Sequence, residues 1–148
     1  MIVSIKHRGN YKFNKHFLEP DHVPAFDGAP GGEEEQCAMV IDSFPSLKYW
    51  TRNVARHPKS FSLPTPTDKF YPDFVALMED GRLLVVEYKG KDRAPDNSSD
   101  GREKQLIGKM WAETSGGKAV FVMATIERND PTEITHTIRK ALGRSSTA

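Results

Sequence analysis

Cysteine is nearly missing from this chain. Cys37 is the only one in 148 residues, which excludes an internal disulfide framework and a cysteine-rich zinc site and fits a reducing interior. Long apolar runs are missing as well. No stretch approaches the length of a membrane span, and the N-terminal residues have no signal-peptide core, so the expectation is a cytoplasmic protein with no membrane partner. Excess charge of either sign is lacking: 21 Lys and Arg stand against 20 Asp and Glu, a formal net charge of +1. No global basic field marks a polyanion partner, and any such contact must come from a local patch. Internal repeats and low-complexity tracts are also absent. What remains is long enough to bury a core, and residues 1–148 are expected to form a single domain.

Along the chain, Tyr11, Phe13 and Phe17 alternate with polar residues and predict a half-exposed strand, followed by a proline- and glycine-rich loop over 19–32. "EEEQCAMVIDSF" (33–44) predicts a helix with Cys37, Ala38 and Ile41 on one face and three glutamates in its first turn, where the helix dipole favours negative charge. "SLKYWTRN" is a strand candidate, and 54–68, with three prolines, reads as a long surface excursion. Strands are expected at 69–78 and 82–90, then a polar loop over 91–100. A helix opens with an Asp100/Glu103 capping box and stops at Gly116-Gly117. "KAVFVMAT" is a buried strand. A last amphipathic helix over 130–143 carries Ile134, Ile138 and Leu142. The plan is α/β: an N-terminal strand and loop (1–32), an αβββαβ core (33–125) around a mixed sheet flanked by helices, and a C-terminal helix.

Within "KFYPDFVALMEDGRLLVVEYKGK" (69–91), charges stand where an apolar sheet is expected. Taking Glu79-Asp80-Gly81 as a three-residue hairpin loop, with glycine in the left-handed position, pairs Met78 with Arg82, Val75 with Val85 and Asp73 with Glu87. Directly opposed residues share a face, and so do residues two apart on one strand, so Asp73, Glu87 and Lys89 converge. A two-residue Asp80-Gly81 loop would split them across the sheet.

Two opposed carboxylates repel unless a cation lies between them, and such an oxygen-rich site suits Mg²⁺ or Mn²⁺. The Tyr88 carbonyl is a further candidate ligand. Lys89 would help activate an attacking water or stabilise charge on a phosphate, which makes this a site for metal-assisted phosphodiester hydrolysis. Glu34, on the apolar stripe of its helix, either joins the metal or its water, or simply takes advantage of the helix N-terminus. Glu33 and Glu35 are expected to point elsewhere.

Asp73, thirteen intervening residues and then Glu87-x-Lys89 resemble the PD-(D/E)xK nuclease motif, and the order of elements resembles that superfamily's core. Of the twelve lysines in the chain, only Lys89 follows an acid at this spacing. The segments "GEEEQCAMVID", "KYWTRN", "LPTPTDKFYPDFVALMEDGRLLVVEYKG" and "REKQLIGKMWAETSGGKAVFVM", most of 32–123, resemble the C-terminal endonuclease domain of type III restriction enzyme Res subunits. That resemblance implies a restriction-endonuclease-like fold and Mg²⁺-dependent cleavage of double-stranded DNA by Asp73, Glu87 and Lys89. It also implies cooperation with an ATP-driven helicase/translocase, a separate modification subunit for specificity, and a transient dimer on the substrate. This chain has no G-x-x-x-x-G-K-[ST] phosphate loop, so the motor is not in it, and either an excised domain or a small stand-alone relative is expected. The alternative is a nuclease-fold module that binds DNA or docks a partner without cutting.

Phosphate contacts are expected from Arg52 above all, then Lys15-His16, Arg56-His57, Lys59, Lys91 and Arg93, each against a reading as solvated surface charge. Lys104 or Gln105, within the shared "REKQLIG", either reaches the phosphate or its water or stays on the helix surface. Trp50, Trp111 and Cys37 read as core residues. His7, His22 and His136 have no metal-ligand spacing.

Overall fold

The computed structural model describes residues 13–17, 32–54, 60–66, 68–89, 99–126 and 130–145. The elements are α1 (Glu33–Ser43), β1 (Leu47–Arg52), β2 (Leu63–Pro64), β3 (Lys69–Phe70), β4 (Phe74–Met78), β5 (Leu83–Tyr88), α2 (Ser99–Thr114), β6 (Ala119–Ala124) and α3 (Thr132–Ser145). Four strands form a sheet in the order β1-β4-β5-β6. The β1–β4 and β4–β5 pairs are antiparallel and β5–β6 is parallel, so the sheet is mixed as expected. The parallel pair follows from α2, the crossover needed between two strands of one direction.

Alternation along the strands sorts the side chains onto two faces. Phe74, Ala76, Met78, Leu84, Val86, Val120 and Val122 share one buried cluster with Cys37, Ala38 and Ile41 of α1 and Ile134, Ile138 and Leu142 of α3. α1 and α3 therefore cover this face, and each aliphatic side chain taken fully out of water there contributes about 1.5–3 kcal/mol. α2 covers the other face. It seats so closely that a Cβ at Gly108 would run into the Phe121 ring of β6.

The hairpin takes the three-residue loop. Gly81 has φ +91°, the Met78 N–H donates to the Arg82 carbonyl at 2.9 Å, and Val75 pairs with Val85 and Phe74 with Val86. Asp80 accepts from the Arg82 backbone N–H at 3.0 Å and from its Nε at 2.9 Å, fixing the turn. The Arg82 guanidinium also donates to the Leu142 carbonyl of α3 at 2.6 Å.

Three expectations are corrected. The strand expected at 69–78 is two strands: β3 pairs with β2 in a separate two-stranded sheet, and only β4 enters the main one. Pro72 lies at the break, where it has no N–H to give a ladder. The stretch around 54–68 is not plain surface chain, because the Asn53 amide donates to the Phe61 and Pro72 carbonyls at 2.8 Å each and its carbonyl accepts the Phe61 N–H at 2.9 Å. α2 begins at Ser99, which places Asp100 inside the helix and not at its cap.

At the N-terminal end, His16 bridges Trp50 in parallel. Asp42 organises this corner, accepting from the Asn14 and Lys15 backbone N–H groups and from the Trp50 indole N–H. Tyr11, the loop 19–31, residues 55–59 and the polar loop 90–98 lie outside the described residues.

Gly108→Ala tests the seating of α2. On an exposed helix this change stabilises by up to ~1 kcal/mol. Here the added methyl meets Phe121, and the expected result is a loss of about 1–3 kcal/mol, read as a lower denaturant midpoint.

Candidate active site at the end of the central hairpin

The β4–β5 ladder ends at Phe74–Val86, and Asp73 and Glu87 are the next residues on either side of it. The Tyr88 N–H is taken by Asp73 Oδ2 at 2.8 Å, and the Asp73 N–H is taken by Glu87 Oε1 at 3.2 Å. Each acid thus binds the backbone of the partner strand, and the two carboxylates are held edge to edge.

Glu87 belongs to the sheet face covered by α2, since its neighbours Val86 and Tyr88 join the opposite core. It is only 7% exposed. Burial first, then the charge of Asp73, pushes its carboxyl up to about 8, with Lys104 pulling the other way. Without a metal, the pair therefore keeps one proton through neutral pH. Lys89 follows Glu87 by two residues; its N–H holds the Ala124 carbonyl of β6 at 2.8 Å and its ammonium nitrogen is shut off from solvent.

The fourth acid, Glu34, is engaged by Arg52. Arg52 pairs with Phe74 in the β1–β4 ladder, which places it on the α1 and α3 face, and its guanidinium meets Glu34 at 2.6 Å with both side chains at or below 10% exposure. In the metal-free fold this contact occupies both groups, Glu34 with a guanidinium and Arg52 with a carboxylate. Arg52 also donates to the Asn53 carbonyl. Glu35, expected to point away from the apolar stripe, is also buried. Burial, reinforced by the charges of Asp73, Glu34 and Glu87 in that order, pushes the Cys37 thiol well up, so it is a protonated core residue, as read from the sequence.

Lys15 is also engaged internally, its ammonium donating to the Phe44 and Leu47 carbonyls at 2.9 Å each. His16 accepts the Arg52 N–H through Nε2. Gln105 and Lys104 part company: Gln105 lines a groove along the outer edge of β6 with Lys109, Phe121, His136 and Lys140, whereas Lys104 Nζ lies 3.3 Å from Glu87 Oε2 and 5.3 Å from the Phe70 ring centre. A sequence signal for this existed. Lys104 falls between Gly101 and Gly108, the small residues on the sheet-facing stripe of α2, and both are buried. Phe70 and Asn53, which shape the rim, carried no comparable signal. Lys91, Arg93, Arg56, His57, Lys59, His7 and His22 lie outside the described residues.

Among the described residues no three His, Cys, Asp or Glu side chains form a ready-made metal cage. Asp73 and Glu87 nevertheless fit Mg²⁺, which binds through one or two carboxylates and keeps several waters. Compared with protein-family models, curated proteins and solved structures, the chain matches none. No helix among the described residues is long and apolar enough to cross a membrane.

Glu87 makes stability pH-dependent. Its carboxyl ionises near 4.5 in the unfolded chain and near 8 in the fold. Over that window the folded state holds a proton that the unfolded chain has released, so this contribution to stability is full at low pH and is lost as pH rises toward 8. Thermal melts of metal-free protein from pH 5 to 8.5 should show the decline, and Glu87→Gln should remove about one proton from the slope.

Proposed function

We propose that the chain hydrolyses phosphodiester bonds of double-stranded DNA with Mg²⁺ or Mn²⁺, as the endonuclease domain of a type III restriction system with a restriction-endonuclease-like fold. The observation that carries this reading is the reciprocal clasp of Asp73 and Glu87 across the end of β4 and β5, with Lys89 two residues on. Asp73, Glu87 and the Tyr88 carbonyl would hold the cation. When bound, it supplies Lewis-acid charge to the phosphate and lowers the pKa of a water.

The protein's own groups do the rest. Glu87 gives up its proton when the site is loaded, so both acids become anionic oxygen donors. Lys89, held by β6 behind the pair, places a fixed positive charge where a pentacoordinate phosphate gathers negative charge. The attacking water loses a proton to solvent as it adds to phosphorus, the opposite P–O bond breaks, and the departing oxygen takes up a proton from solvent. The translocase and modification subunit of such a system would supply movement along DNA and sequence choice.

A module that binds DNA or a partner without cutting is the second reading. It is favoured by the two-acid site, in which Glu34 is tied to Arg52. A purely structural network of Asp73, Glu87 and the lysines is a third.

Plasmid incubated with Mg²⁺ or Mn²⁺ should be nicked by the wild type, while Asp73→Ala and Lys89→Ala lose at least about a hundredfold in rate. Equal nicking by all three defeats the catalytic assignment. Intact DNA bound by both wild type and Asp73→Ala favours the second reading.

A melt of metal-free Asp73→Asn separates the third reading. Asn still accepts the Tyr88 N–H but removes the repulsion, so the melting temperature should hold or rise. A structural ion-pair network predicts a loss of about 3–5 kcal/mol.

A further inference from the structure

We infer that Lys104 is a displaceable stand-in for the divalent cation. In the metal-free protein its ammonium neutralises the Asp73–Glu87 pair, and metal loading evicts it toward solvent and the incoming phosphate. This rests on the metal-site reading above and adds a control on loading.

The acid–base contacts near the hairpin end are not equivalent. Arg52–Glu34 is closed, at 2.6 Å with 10% and 9% of the side chains exposed. Lys104–Glu87 is looser, at 3.3 Å, and the lysine is 26% exposed, so it touches the carboxylate and still has a path to water. Lys89 has no such path, because its ammonium is closed off from solvent. Lys104 therefore supplies a mobile charge beside a fixed one.

The helix beneath it does not need to move. α2 is seated on β6 through Gly108 and Phe121, while a lysine stem has four rotatable carbons and a compact, strongly hydrated head. The Phe70 ring, 3% exposed, lies 5.3 Å from the ammonium and gives it an aromatic wall to turn against. A divalent ion between the two carboxylates puts a like charge within a few ångströms of Lys104, and that repulsion drives the side chain outward. Released there, the ammonium meets the anionic substrate that the loaded site attracts. By linkage, metal and phosphate then each strengthen the other's binding.

The test is isothermal titration of Mg²⁺ into metal-free wild type, Lys104→Met, Lys104→Arg and Asp73→Ala at pH 9. Two buffers of different ionisation heat allow protons released from Glu87 to be counted and corrected for. After that correction Lys104→Met should bind Mg²⁺ about tenfold more tightly than wild type, while Lys104→Arg, which keeps the charge, stays near wild type. Equal or weaker binding by Lys104→Met, with wild-type binding lost in Asp73→Ala, overturns the stand-in role and leaves the metal site standing. No Mg²⁺ binding by wild type or by Lys104→Met overturns both.

Discussion

The candidate site depends on strand register. Asp73 and Glu87 lie fourteen residues apart in sequence and meet only because the Glu79-Asp80-Gly81 loop holds β4 and β5 in one alignment. Side chains alternate faces, so a slip of one residue would send one acid under α2 and the other into the aliphatic core. Gly81 makes the alignment cheap, since its φ of +91° costs glycine little and would strain any other residue. The Asp80–Arg82 contacts add to it. Everything chemical in the molecule is built on that turn.

Given the register, burial sets the electrostatics. Two carboxylates in a largely dry sheet end cannot both ionise cheaply, and the pair keeps a proton with Lys104 beside it. On the opposite face Glu34 and Arg52 solve the same problem differently, with a tight contact that leaves neither group available. The contrast is between a closed ion pair and a looser one, 2.6 Å against 3.3 Å.

Much of this was legible in the sequence. The apolar period of α1 and α3 and the turn chemistry of "EDG" are local signals; the first identified two helices and their buried faces, the second the hairpin register. The meeting of Asp73 with Glu87 followed from the three-residue reading of that turn, which also brought the charges together. What failed was the choice of polar partners. Nothing periodic links Glu34 to Arg52, Lys15 to the Phe44 and Leu47 carbonyls, or Asn53 to Phe61, because these contacts are fixed by where distant segments come to rest. The division of 69–78 into β3 and β4 was marked by Pro72, but a proline signals a break without saying which sheet each half will join. Lys104 and Gln105 are told apart by the small residues Gly101 and Gly108, which mark the sheet-facing stripe that Lys104 shares and Gln105 does not.

The reach of Arg82 to the Leu142 carbonyl spans sixty residues. A ribosome emits the hairpin long before it emits α3, so the turn must first close without this clasp, and the late helix then locks what the early segment has sampled. Assembly order thus ties the geometry of the acids to α3.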